Sequence, residues 1–226
     1  NQVTTITAAN AITGEAKLLF DPAKLTIGNA SEEDTSIVFD GHAQDYYIGL
    51  DDTDDDLKIG LGSAVGTTAH MVFDETGAIL KPLQPAFLSN SSTASNVTGD
   101  ATTYTVLWNG TQRFDQGADF DETTGLFTAP VTGRYYFFVG FRISGILSAH
   151  DYGWSEFKTS NSYTNIFVVD PYGAAAGASH TTLGQNGSFF CDLDASDTAW
   201  VEMGFEGGTK VIDIESPSNF GGHLVC

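Results

Sequence analysis

Asp51, Asp52, Asp54, Asp55 and Asp56 crowd the gap between two near-copies of one phrase, Tyr47-Ile48-Gly49-Leu50 and Lys58-Ile59-Gly60-Leu61. Carboxylates at this density are the ligands that hard cations such as Ca2+ favour. A helix-loop-helix calcium loop also needs a glycine at its sixth position and a glutamate at its twelfth. Counted from Asp52, those positions hold Leu57 and Ser63, and the flanks read as strands rather than helices. Two readings remain: a loose Ca2+ site on Asp52, Asp54 and Asp56, or a solvated turn joining two strands. The turn is preferred, because strands of this type need a polar reversal between them.

Other reactive patterns are weaker. Gly60-Leu61-Gly62-Ser63-Ala64-Val65-Gly66 approaches a dinucleotide-binding loop, but its third glycine comes one residue late and a strand-like His70-Met71-Val72-Phe73-Asp74 follows where a helix is required. The histidines at 42, 70, 150, 180 and 223 show no zinc-ligand spacing. No Walker A, HExxH, CxxC or GxSxG sequence occurs. Cys191 and Cys226 sit in apolar strand-like runs, so a buried free thiol is expected over a disulfide. Sequons at Asn29, Asn90, Asn96, Asn109 and Asn186 matter only in a glycosylating secretory pathway. What remains is recognition by aromatic side chains. Segment 148–163 offers Tyr152, Trp154 and Tyr163, and segment 170–180 offers Tyr172 among small residues. Both segments read as loops, and exposed Trp and Tyr suit sugar stacking and protein hot spots.

The elements that must hold these residues are strands. Val, Ile, Thr, Phe and Tyr recur in short runs between Gly, Asn, Asp and Ser clusters, and no apolar period of 3.6 residues is sustained. The 226-residue chain has room for one large or two modest domains and carries a formal net charge of −20 with only 9 Lys and Arg. That charge repels a phosphate backbone and an anionic membrane surface, which argues against nucleic-acid partners and membrane association. No apolar run approaches the ~20 residues of a membrane span. The start, Asn1-Gln2-Val3, has neither Met nor a basic apolar leader, so a processed chain or fragment is expected.

The first eighty residues repeat loosely: Leu18-Leu19-Phe20-Asp21, Ile37-Val38-Phe39-Asp40 and Met71-Val72-Phe73-Asp74. Each unit is a short strand with one apolar and one polar row. Such a strand cannot bury its apolar row alone, so residues 1–81 are expected to form a stem in which several copies of the chain share an axial core. Pro82 and Pro85 mark an extended connector over 82–85. Beyond it, over 86–226, aromatic density rises and the strands lengthen. In Gly133–Ile143, Tyr135, Phe137, Val139 and Phe141 alternate with Tyr136, Phe138 and Gly140. A strand apolar on both faces fills a sandwich core with one and needs a second covering surface for the other.

From Pro85 onward the chain resembles the C1q-type globular heads, relatives of the tumour-necrosis-factor-like trimers. The likeness rests on four ordered segments. Pro85-Ala86-Phe87 opens it. Phe120-Asp121, Thr124-Gly125 and Phe127 then precede Gly133, Tyr135, Tyr136 and Phe137 in register. Asp197, Trp200 and Val201 keep their places near the end, although Ser196 stands where the family has Gly. Ser218-Asn219-Phe220-Gly221-Gly222-His223-Leu224 forms the last strand. Residues 142–187 match poorly. The resemblance implies an all-β jelly-roll sandwich that assembles as a homotrimer. It implies that core and trimer interface draw on Tyr135, Tyr136, Phe137, Phe138, Phe141, Trp200 and Phe220.

The N-terminal phrases resemble those of bacteriophage tail-fibre and appendage proteins. Together the two resemblances imply a non-enzymatic trimeric virion fibre. Its head would contact a host-surface glycan or protein, and its other partners would be virion proteins. A capsid decoration and a secreted C1q-like lectin or ligand are the alternatives.

Overall fold

The structure, a computed structural model, describes residues 2–8, 11–21, 23–175 and 182–226. It is all-β apart from one five-residue helix, and it divides into two compact units, Asn1–Leu83 and Gln84–Cys226.

In the first unit, β1 (Gln2–Ala8), β2 (Ala11–Asp21) and β3 (Lys24–Ile27) make one antiparallel sheet. A second antiparallel sheet runs in sequence order through β4 (Thr35–Phe39), β5 (Tyr46–Asp51), β6 (Asp56–Leu61), β7 (Ala69–Phe73) and β8 (Ile79–Leu80). Alternation places Tyr47, Gly49 and Asp51 on one face of β5 and Tyr46, Ile48 and Leu50 on the other. The first face is covered. Loop 62–68 folds back over it, bringing a Val65 methyl over Gly49 and the Gly66 N–H to the Tyr47 hydroxyl at 3.1 Å. Tyr47 is completely buried there. On the opposite face the register lines up Ile37, Ile48, Ile59 and Met71 across four strands. Parallel rows on either side join Phe39, Tyr46 and Leu61, and Leu50, Leu57 and Phe73.

The second unit is a two-sheet sandwich. One sheet contains β9 (Ala86–Asn90), β10 (Ala94–Thr98), β12 (Thr111–Gln116), β15 (Gly133–Ser144), β18 (Leu183–Leu193), β20 (Ile212–Ile214) and β21 (Asn219–Leu224). The other contains β11 (Thr103–Thr105), β13 (Phe120–Asp121), β14 (Leu126–Thr128), β16 (Tyr152–Thr159), β17 (Thr164–Val169) and β19 (Thr198–Glu206). The helix α1 (Pro171–Ala175) follows β17. β15 is central: it pairs with β18 along one edge and with β21 and then β20 along the other.

The core between the sheets is largely aromatic. Phe87 stacks on Phe120 and Phe127 at 4.4 and 5.1 Å, and Phe137 meets Phe157, Phe127 and Phe220 at 5.2–5.9 Å. Such pairs contribute about 0.5–1.5 kcal/mol each beyond the area they bury. Tyr135 is buried with its hydroxyl donated to the Val131 carbonyl at 2.7 Å. The Phe120–Phe127 motif turns tightly because Asp121 accepts hydrogen bonds from the Thr123 N–H and hydroxyl. Gly125 completes the turn at φ +75°, where a Cβ would lie 2.4 Å from the Val106 carbonyl oxygen.

Candidate binding surfaces

The sequence places aromatic residues on both faces of β15, and the structure separates their roles. Tyr135, Phe137 and Phe141 point into the core with Phe220 from β21. Tyr136 and Phe138 lie half-buried on the opposite, open face. There Tyr136 packs against Phe190 of β18 at 4.9 Å and His223 of β21 at 5.6 Å. Phe138 lies across Gly221, where a Cβ would meet its ring at 2.6 Å. Phe190, 59% exposed, was not singled out by the sequence reading. Its sequence signal is the adjacent pair Phe189-Phe190, whose members must face opposite sides of a strand; the structure sets Phe190 directly opposite Tyr136.

The open face changes character along β15. Asn186, Gly140 and Asn219 share one rung, and Asn219 also pairs with Asn90. The aromatic rung of Tyr136 follows, and then an exposed ion pair between Arg134 and Asp192 at 3.2 Å. Asp192 raises the Arg134 pKa further above its ordinary value. A cleft of about 520 Å³ opens beside this pair, lined by Arg134, Asn161, Tyr163, Phe190 and Asp192.

Segment 148–163 is not a loop: β16 occupies Tyr152–Thr159. Its inward residues, Gly153, Ser155, Phe157 and Thr159, are mostly small or polar, which hides the strand period from the sequence. Tyr152 and Trp154 therefore project from a sheet. Trp154 lies flat over Gly204 of β19, where a Cβ would come within 2.7 Å of the indole. Trp200 is on this same outer face, not in the core; its neighbours Ala199 and Val201 fill the core instead. The Trp200 indole N–H donates to Glu202 at 2.9 Å, and Lys158 reaches the other Glu202 oxygen at 3.2 Å. Lys158 also sits 5.9 Å from the Trp200 ring centroid.

The four proposed recognition aromatics do not form one cluster. Tyr152 and Trp154 stand at the start of β16, and Tyr172, on α1, is 67% exposed. Tyr163 lies beyond the far end of β16, after a strand of eight residues that spans roughly 25 Å. Residues 176–180 of the second segment, including His180, lie outside the described residues.

Among the described residues no group of three or more His, Cys, Asp or Glu is placed to hold a metal ion, the aspartate run included. The run is the turn of the β5–β6 hairpin, and several of its carboxylates are engaged by protein donors. The Asp54 carboxylate bonds the Lys58 ammonium at 2.5 Å and the Asp56 carboxylate accepts from the Glu75 N–H, while the backbone N–H of Asp52 donates to the Asp34 carboxylate. Lys58 instead takes the central position, bonding the buried Asp51 at 2.7 Å. That bond is the main cause holding the Asp51 carboxyl below the ordinary aspartate value.

His150 is buried, and its partners fix its neutral tautomer. Nδ1 accepts the Leu147 N–H at 3.0 Å, so Nε2 carries the proton donated to the Thr209 carbonyl at 3.1 Å. The ring thereby ties segment 147–150 to the loop after β19. Both cysteines are free thiols; Cys226 is exposed, and burial pushes the Cys191 thiol up to about 12.

A two-sheet antiparallel sandwich with an aromatic core and a second, open aromatic face defines the class of the head. Residues 86–225, more than half of the chain, match the C1q domain family, and the chain belongs to it. C1q domains are non-enzymatic binding domains that typically form homotrimers, and the proteins carrying them are usually extracellular. Among solved structures, the globular domain of zebrafish complement 1qA is similar at 21% identity and a TM-score of 0.44, covering 63% of this chain and 98% of that one. Murine APRIL is similar at 9% identity and a TM-score of 0.44, with 63% and 99% covered. No curated protein matches. No described helix is long and apolar enough to cross a membrane.

Proposed function

We propose that the protein is a homotrimeric fibre or appendage of a phage virion whose C1q head contacts the host surface without catalysing a reaction. The observation that carries this reading is the joining of a C1q binding domain to a separate N-terminal β unit that resembles phage fibre sequence. The open face bearing Tyr136, Phe138 and Phe190 is the head's intersubunit surface. Tyr152, Trp154 and Tyr172 form one recognition surface for a host glycan or protein, and Tyr163, beyond the far end of β16, forms another. The N-terminal unit is the stem and meets other virion proteins. Adsorption tests the proposal. Purified trimer is expected to bind host cells and compete with virions, and Trp154→Ala is expected to weaken binding at least tenfold. Normal adsorption by virions lacking the protein would overturn the host-contact role.

The family's usual extracellular setting favours a second reading, a secreted C1q-like lectin or ligand. Immunogold labelling of purified virions separates the two readings: the fibre reading expects gold on the particle, and the secreted reading expects none. Labelling on the capsid rather than the tail would identify a capsid decoration.

A further inference from the structure

The second sheet of the N-terminal unit is built inside out. In β5 the buried positions hold Tyr47, Gly49 and Asp51, while Tyr46, Ile48 and Leu50 are exposed. In β6 the most buried side chain is Lys58, while Leu57 is 41% exposed. The row through Ile37, Ile48, Ile59 and Met71 runs straight across four strands on the exposed face. Asp51, Asp56 and Lys58, the charged side chains of β5 and β6, all lie on the other face. Water therefore meets the aliphatic rows, and the loop covers the ion pair. An apolar patch of this extent marks an interaction site.

We infer that this exposed face is an interface between copies of this chain, with the sheets of the homotrimer turned inward to share one dry core around the Ile48 row. The inference rests on the trimeric reading above and adds a second, independent contact to the one on the head. Three observations select another copy as the occupant. First, from their fractional exposures these side chains still offer on the order of 800 Å² per copy, the share of one partner in a standard interface. Second, copies of a chain with net charge −20 repel, and this face keeps its strands' charges on the far side, where Asp51 and Lys58 neutralise each other beneath the loop. Interfaces that choose a different partner carry complementary charges, and these rows carry none. Third, C1q heads typically trimerise, which would tether three such sheets at high effective concentration. Sheets packed face to face lie about 10 Å apart, a spacing that interdigitating Ile and Leu side chains fill.

Cross-linking of the full chain tests the inference. In a Cys226→Ser background, Ile48→Cys places a thiol on the aliphatic row, and Val38→Cys places one on the opposite face. A short bis-maleimide is expected to join chains through Ile48→Cys, whose reaction with a mono-maleimide is slowed at least tenfold. Val38→Cys is expected to react freely and give no cross-linked chains. Leu50→Cys, on the neighbouring row, repeats the measurement if Ile48→Cys fails to fold. Light scattering on the same samples separates the two proposals. A trimer whose Ile48→Cys reacts freely would overturn this interface and leave the head contact standing. A trimer in which Ile48→Cys is protected but joins no chains would show that the chain covers its own face, and would also overturn it. A monomer would remove both contacts.

Discussion

The head and the N-terminal sheet use the same alternation of strand side chains and send it in opposite directions. In β15 the inward positions are Tyr135, Phe137, Val139 and Phe141, and a second sheet covers them. In β5 the inward positions are Tyr47, Gly49 and Asp51, covered by one loop, and the aliphatic residues face outward. A jelly roll closes its own core because it has two sheets to press together. The β4–β8 meander is covered by a loop on one face and leaves its larger face exposed, and the interface inferred above would bury it. The difference shows that strand periodicity fixes which residues share a face, while the number of available layers decides which face the chain itself can bury.

Truncation should break the head first. Phe137→Ala removes a ring held among Phe127, Phe157 and Phe220. The expected cost is about 3–5 kcal/mol, a large share of a single domain's stability. Calorimetry should show the head transition falling by many degrees while the N-terminal transition holds its position. Equal shifts in both would mean that the two units unfold as one.

Lys58→Met should do to the N-terminal sheet what Phe137→Ala does to the head, through a different mechanism. It leaves the Asp51 carboxylate buried without its cation, a loss of about 3 kcal/mol or more. Adding Asp51→Leu should recover most of that loss, because a buried pair replaced by apolar groups is often neutral or stabilising. Chemical denaturation of the single and double variants measures the coupling. A Lys58→Met variant as stable as the parent would mean that the pair holds nothing together.

That ion pair also marks the limit of what could be read from the residues alone. Tyr135 and Phe137 were legible because large aromatics alternate along one strand, and Phe87, Phe120 and Phe127 because they stand in the segments that resemble the C1q-type heads. The aspartate run reads by preference as a solvated turn between two strands, and the structure shows a hairpin turn there. What spacing does not reveal is that the hairpin brings Lys58 back beside Asp51. β16 was hidden for the opposite reason: Gly153 and Ser155 carry no apolar signal, yet they face inward. Trp200 followed the family pattern in position, but strand parity turned it outward. His150 gave no signal, because both of its partners are backbone groups supplied by loops.

Acid should discriminate between the two units more gently. The Asp51 carboxyl titrates below its ordinary value of 3.8, and the Lys58 ammonium above its ordinary value of 10.5. The pair's contribution is therefore complete between those two values. It is lost as pH falls through the depressed carboxyl pKa, and again as pH rises through the raised ammonium pKa. Thermal scans should show the N-terminal transition flat from about pH 4 to 10 with respect to this pair, then falling below pH 4. In Lys58→Met that acid limb should shrink, and an unchanged limb would assign it to other carboxylates.

The smallest expected effect lies in the head, at its departure from the family pattern. Ser196 stands where the family has glycine and adopts φ +77°, in the left-handed region. The turn holds it there: its N–H donates to the Ala129 carbonyl at 2.8 Å, and the Asp197 N–H donates to the Asp194 carbonyl at 2.9 Å. A side chain in this region costs about 1–2 kcal/mol, while glycine adds about 0.5–1 kcal/mol of freedom to the unfolded chain. The strain is the larger quantity, so Ser196→Gly should stabilise the head by roughly 0.5–1 kcal/mol and leave the N-terminal sheet untouched. Ser196→Ala keeps the Cβ and should gain nothing. An equal gain from both variants would trace the effect to the lost hydroxyl rather than to the backbone.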